Sequence, residues 1–124
     1  MPFKVQEEYQ AVVFEIKGRF LGSIDGTEFK SSLTSLLEEG KNHFVVDLSK
    51  ADFMDSSGIG VLIGGLTSTR RAGGDMRLAG MTKRIKNLFL ITKLLGSVFV
   101  DYDSVADAIE SYTNDPPTGD AGDA

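Results

Sequence analysis

The 124-residue chain has no cysteine and a single histidine, His43. Without cysteine there are no disulfides, zinc-thiolate sites or thiol nucleophiles, and one histidine leaves little from which to build a metal centre. Long apolar runs are missing too. The longest, "IGVLIGGL" at 59–66, is short and broken by glycine, whereas a membrane-spanning helix needs about 20 apolar residues. The opening "MPFKVQEEYQ" lacks the apolar core of a secretory signal. A soluble, cytoplasmic protein without membrane contact is the expectation. Basic residues are absent from the last twelve positions, "TNDPPTGDAGDA", which hold Asp115, Asp120 and Asp123 and so three of the five net negative charges. The remainder is nearly neutral, and an acidic balance argues against direct nucleic-acid binding, which needs a basic surface to displace counterions from phosphates.

What is present fits one domain of ordinary size, with 41% hydrophobic residues and enough length for a single core. "FKV" and "AVVFEIK" flank the polar "EEYQ" and predict a hairpin. Residues 25–39 place Phe29, Leu33, Leu36 and Leu37 on one helical face, with Asp25 and Glu28 in capping-box spacing and Gly40 available to end the helix. "HFVVDLS", from His43, reads as a buried strand. Ile59, Leu62, Ile63 and Leu66 have helical spacing that ends at Gly73 and Gly74, before a strand at "DMRLAG". Thr82 can cap a helix lined by Ile85, Leu88, Phe89 and Thr92. The chain then turns at Gly96 into a short strand, "VFVDY", and a last helix over about 103–113 carries Val105, Ala108, Ile109 and Tyr112 on its apolar side. Strands alternating with helices after a hairpin predict an α/β domain with a mixed sheet. Residues 113–124 are expected to form a disordered, solvating acidic tail. The local basic stretch Lys83, Arg84, Lys86 and Lys93 reads as a solvated helix face.

One segment stands apart, "DFMDSSGIG" at 52–60, between the buried strand and the following helix. Three readings compete for it. In the first, a serine caps the helix, its hydroxyl accepting a first-turn amide for ~1 kcal/mol, with Asp55 at the positive helix end. That leaves Gly58, Gly60, Gly64 and Gly65 unexplained, because an exposed glycine inside a helix costs ~1 kcal/mol relative to alanine. Such a cluster implies close backbone approach, to the sheet or to a partner. In the second, a serine is a nucleophile, but Met54 stands where a hydrolase elbow needs glycine. The one candidate base, His43, is expected at the far end of the preceding strand, ~20 Å away. A phosphate-binding glycine loop lacks its lysine and threonine. In the third, an exposed hydroxyl at a helix start, among small residues, is open to modification by another enzyme.

At this point the sequence resembles a family. "VVDLSKADFMDSSGIGVL" at 45–62 and "RRAGGDMRLAGMTKRIKNLFLITKLLGSVFVDYDSVADAI" at 70–109 are similar to the STAS-domain anti-sigma-factor antagonists of bacteria. The resemblance runs from about 3 to 112 and implies a STAS-like single domain over 1–112, with a mixed sheet of four to five strands and helices packed against it. It implies that Ser56, the first serine after the aspartate, is phosphorylated by a partner kinase, and that Ser57 is not the acceptor. It also implies partner switching. The unphosphorylated protein binds an anti-sigma-factor serine kinase and frees a sigma factor, phosphorylation ends that binding, and a PPM-type serine phosphatase restores it. The protein would then be a substrate and a switch, neither an enzyme nor a cofactor binder, with ATP carried by the kinase. The implied partner surface comprises Asp55, Ser56, Ser57 and Gly58. Family members commonly add an aspartate from a "G-x-hydrophobic-D" segment. Here "GRFLGSID" has Leu21 at that place, and Asp25, four residues on, either caps the helix or joins the surface. A STAS module serving another signalling or transport assembly is the alternative.

Overall fold

The computed structural model describes residues 3–8, 10–93 and 98–114. The expected turn at Gly96 and residues 115–124 of the expected tail lie outside these described residues. The hairpin is present: β1 (Phe3–Glu7) pairs antiparallel with β2 (Val12–Phe20), and Phe3 faces Ile16 in register. The chain then alternates α1 (Gly22–Glu38), β3 (His43–Met54), α2 (Ser56–Arg71), β4 (Asp75–Ala79), α3 (Lys83–Ile91), β5 (Asp101–Tyr102) and α4 (Val105–Asn114). The five strands form one sheet in the order β1-β2-β3-β4-β5, parallel from β2 onward. Each parallel step needs a crossover, and α1, α2 and α3 supply them.

The side-chain alternation of β2, β3 and β4 divides the core in two. Phe14, Ile16, Phe20, Phe44, Val46, Leu48, Met76 and Leu78 point to the face covered by α1, α2 and α3, where they meet Phe29, Leu33, Leu62, Leu66, Ile85 and Phe89. Phe29 sits among aromatic rings, 4.7 Å from Phe14 and 5.6 Å from Phe20 between centroids. Val13, Val45 and Ala79 point to the opposite face, where α4 lays Ala108 and Tyr112 over them. The Tyr112 hydroxyl ties α4 to two strands, 2.7 Å from the Phe44 carbonyl and 2.8 Å from that of Asp75.

Helix ends follow local chemistry. Gly40, at φ +88°, closes α1, with its own amide on the Leu37 carbonyl and the Lys41 amide on that of Leu36. This is the left-handed ending for which glycine pays no Cβ penalty. The Thr82 hydroxyl accepts the Ile85 amide at the start of α3, as expected. Three expectations need correction. First, α1 begins at Gly22, so Asp25 lies inside its first turn and is not its cap. Second, β3 runs past Ser49 to Met54. Its pairing with β2 shifts between Glu15 and Lys17 and again between Gly18 and Arg19, each time by one extra β3 residue. These bulges keep Ala51 and Met54 buried while Lys50 and Phe53 face outward, which breaks the simple alternation of a strand. Third, the last strand extends only over Asp101–Tyr102, with Phe99 in an isolated bridge just before it. Among the described residues no helix is long and apolar enough to cross a membrane.

Candidate functional site

The motif lies at the carboxyl end of the parallel strands, where β3 hands the chain to α2. Met54 is buried and anchors the strand end, and Asp55, in extended conformation, is the N-cap of α2. Its Oδ1 accepts the Gly58 amide at 2.6 Å, and its carbonyl takes the Ile59 amide at 3.0 Å. The expected serine cap is therefore replaced by a carboxylate cap. Ser56 and Ser57 open the helix, both exposed, and neither hydroxyl has a hydrogen-bond partner among the described residues.

The same Asp55 oxygen also accepts the amide of Gly22, at 3.1 Å. This explains how α1 starts without a capping side chain of its own: Leu21 occupies the cap position and makes no side-chain cap bond. One carboxylate thus satisfies first-turn amides of two helices, which would otherwise lack partners. Asp25 reaches back to the Leu21 amide at 2.8 Å, so its half-buried carboxylate fixes the turn from β2 into α1. The structure brings Asp25 and Asp55 to the same pair of helix starts, each holding backbone.

The glycines separate into two kinds. A Cβ on Gly58 would come within 2.6 Å of the Phe20 carbonyl oxygen and 3.0 Å of Met54 Cγ, and one on Gly22 would overlap the Ser57 backbone. A Cβ on Gly65 would press on Leu33 and Met76 at 3.1 and 3.2 Å. Those three are required by the fold itself. Gly60 and Gly64 face open space.

Sequence reasoning missed the neighbours that complete this end of the sheet. Ile24, in the first turn of α1, is 68% exposed, and Phe53 is 37% exposed with the Arg19 guanidinium 5.4 Å from its ring centre. The signal for Phe53 was available in "DFMD", but only the β3 bulge turns it outward. Lys83, Arg84, Lys86 and Lys93 are exposed as expected, and Lys86 pairs with Asp101 at 3.5 Å. Among the described residues no group of three or more His, Asp or Glu is placed to hold a metal ion.

His43 lies at the opposite end of β3, as expected, stacked on Tyr112 with centroids 4.4 Å apart. Burial holds its pKa below the usual value; the Arg77 charge adds to that effect, and a Gln10 backbone bond and Asp75 oppose it. For Arg77, burial pulls downward, but the Asp75 carboxylate and further partners outweigh it and the pKa is raised. Burial, with Asp75, likewise pushes Tyr112 up, so it stays a neutral hydroxyl donor. The cluster holds α4 to the sheet and is remote from Ser56.

Comparison with known proteins agrees with this architecture. The STAS domain family matches residues 3–108. The anti-sigma-B factor antagonist of Staphylococcus aureus is 28% identical over 95 residues, covering 76% of this chain and 88% of the relative. Two solved structures of the anti-sigma factor antagonist SpoIIAA are similar in fold. The unphosphorylated form gives TM-score 0.71 at 15% identity, covering 92% of this chain and 99% of that one. The phosphorylated Bacillus form gives 0.69 at 19%, covering 88% and 97%. A similar fold occurs within the murine anion transporter Slc26a9, with TM-score 0.70 at 16% identity, covering 89% of this chain and 19% of the transporter. At these identities the structural likenesses show the fold alone.

Proposed function

We infer the function from one premise: the chain belongs to the STAS domain family. Within it, the chain acts as an anti-sigma-factor antagonist whose unphosphorylated form binds an anti-sigma-factor serine kinase. Binding frees a sigma factor, a phosphate on Ser56 ends it, and a PPM-type phosphatase restores it. The protein itself is not an enzyme and works in the cytoplasm. The module covers the family match over 3–108, and α4 carries it to Asn114, two residues past the expected end at 112.

One observation carries this reading. Asp55 takes over the capping of α2, so the Ser56 hydroxyl is exposed and uncommitted at the first helical position. A phosphate there adds about -1.5 to -2 charges at pH 7. The positive end of α2 tolerates that charge, so the fold is retained. A partner fitted against the bare hydroxyl meets repulsion and a desolvation cost, increased by the Asp55 carboxylate alongside. Asp55, Ser57 and Gly58 shape the docking surface mainly by fixing the helix start, and Asp25 does so through the Leu21 turn. Nucleic acid, membrane and cofactor have no part in the switch. The existence of SpoIIAA in both unphosphorylated and phosphorylated forms supports the same reading.

The test is capture from the source cell with unphosphorylated and Ser56-phosphorylated bait. The unphosphorylated bait should retain a kinase of the histidine-kinase-like ATPase fold, and the phosphorylated bait should not. A second reading, a STAS module in another signalling or transport assembly, is favoured by Leu21 standing where family members commonly have aspartate, next to the exposed Ile24. Recovery of transporter or scaffold subunits with either bait would select it.

A further inference from the structure

The sheet face that carries α4 is unevenly covered by the described residues. α4 lies over β3, β4 and β5, where Val45 and Ala79 meet Ala108 and Tyr112. No described helix covers the same face of β1, β2 and the second half of β3. There β2 directs Glu15, Lys17 and Arg19 away from the buried Ile16 and Phe20. Lys4 and Lys50 share that face, each 3.6 Å from Glu15, and so does Phe53, beneath the Arg19 guanidinium. Lys17 and Lys50 are direct register partners, a like-charge pairing that destabilises a sheet. Lys17 has no carboxylate partner among the described residues, and Arg19 has only the Phe53 ring. Four cations thus surround one carboxylate. The opposite charge is on α4. With Ala108 and Tyr112 turned inward, Asp107 and Glu110 are exposed on its outer side, and the helix contains no basic residue. Neither carboxylate has a cation partner among the described residues.

We propose that this face is the contact surface of a two-fold dimer, in which α4 of each copy sets its acidic side on the basic half-sheet of the other. The shape suits such a contact. A helix stands about 10 Å above the sheet it covers, so each copy presents a step, with a raised acidic half beside a low basic half. Two such steps interlock about a two-fold axis, because an isologous contact needs both complementary patches on one surface. The spacing fits as well. Asp107 and Glu110 stand at i and i+3, with ~5–6 Å between Cβ atoms, and Lys17 and Lys50 lie on neighbouring strands ~4.8 Å apart. The contact gives Lys17 a counter-charge that the described residues of its own chain do not supply, and it offsets the repulsion between Lys17 and Lys50. Of the acidic partners such a surface could take, a second copy is the one whose complement the structure itself carries. Exposed ion pairs are individually weak, so the dimer is reversible, with a dissociation constant near ~100 μM. The pairing is independent of the switch at Ser56, since α2 covers the other face of the sheet.

The experiment is sedimentation velocity on the full chain over a concentration series, with two double variants: Lys17→Glu with Lys50→Glu on the sheet, and Asp107→Lys with Glu110→Lys on α4. Wild type should dimerise at roughly 10 mM salt, where charges act over ~30 Å, and its dissociation constant should rise at least about tenfold near ~1 M salt, where the range falls to ~3 Å. Each double variant alone should be monomeric, since both contacts of its dimer would bring like charges together. An equimolar mixture of the two should dimerise again, because the reversed sheet of one meets the reversed helix of the other while the second contact stays native. The α4 variant alters only exposed helix positions, so it reads the contact independently of any loss of fold in the sheet variant, which circular dichroism reports. Wild type that stays monomeric at roughly 1 mM protein and low salt overturns the proposal and leaves the basic face to a different acidic partner. A dimer that survives in either double variant, or a mixture of folded variants that stays monomeric, overturns it as well.

Discussion

The Asp55 carboxylate accepts the amide of Gly22 across 33 residues of sequence, at 3.1 Å, while also capping its own helix through Gly58. The starts of α1 and α2 are thereby locked to one another beside Ser56. Removing a capping side chain costs ~1 kcal/mol, and here a second amide loses its partner as well. Asp55→Ala should therefore lower stability by about 1–3 kcal/mol, measured by urea unfolding. Asn at position 55 keeps an acceptor and should recover more than half of the loss. Equal stability of Asp55→Ala and wild type would remove the double cap from the account.

The two serines should separate cleanly with a cognate kinase. Ser56→Ala should abolish phosphate incorporation, and Ser57→Ala should leave it within about twofold of wild type. Phosphopeptide mapping checks the assignment, and labelling of Ser56→Ala at the wild-type level would refute it. Ser56→Asp should retain a native circular-dichroism spectrum, because an acid at the first helical position suits the dipole, and should lose kinase binding by calorimetry. Full binding by Ser56→Asp would sink the charge mechanism while leaving the site open to test.

The glycines of α2 give opposite predictions from one substitution. Gly58→Ala forces a Cβ against the Phe20 carbonyl, a backbone atom that cannot rotate away, and should destabilise by at least about 1–3 kcal/mol. Gly60→Ala and Gly64→Ala meet nothing within 4 Å and should each stabilise by up to ~1 kcal/mol through helix propensity. Thermal unfolding reads both signs. If the two stabilised variants also bind the kinase more weakly, the exposed glycines serve a partner; undiminished binding assigns them no such role.

The order of elements was legible because the apolar spacing of Phe29, Leu33 and Leu36 and the valines of β3 each fit one period. Gly40 and Thr82 were legible because their capping chemistry is local. The second half of β3 was not. Its two bulges shift the phase of the pattern, and its outer face is uncovered there, so Lys50 and Asp52 look like a loop. At the site, the special status of "DSSG" could be read, but the division of labour could not. Serine and aspartate are equally good caps in isolation, and Asp55 takes the role because its carboxylate also reaches Gly22, a contact set by the packing of α1 on α2. Two of the puzzling glycines, Gly58 and Gly65, resolve into internal packing for the same reason.

The far end of β3 supplies a pH dependence separate from the switch. His43 stacks on Tyr112, near Arg77, and burial holds its folded pKa below the unfolded value of 6.5. A depressed histidine binds protons more readily when unfolded, so its contribution to stability is present above pH 6.5 and is lost as pH falls below that value. The loss levels off once pH is below the folded pKa. His43→Phe retains an aromatic ring against Tyr112 but cannot titrate. Wild type should therefore lose more of its thermal stability than His43→Phe between about pH 7 and pH 5, by calorimetric melting in buffers of matched ionic strength. Parallel pH profiles for the two proteins would remove His43 from the account of acid sensitivity.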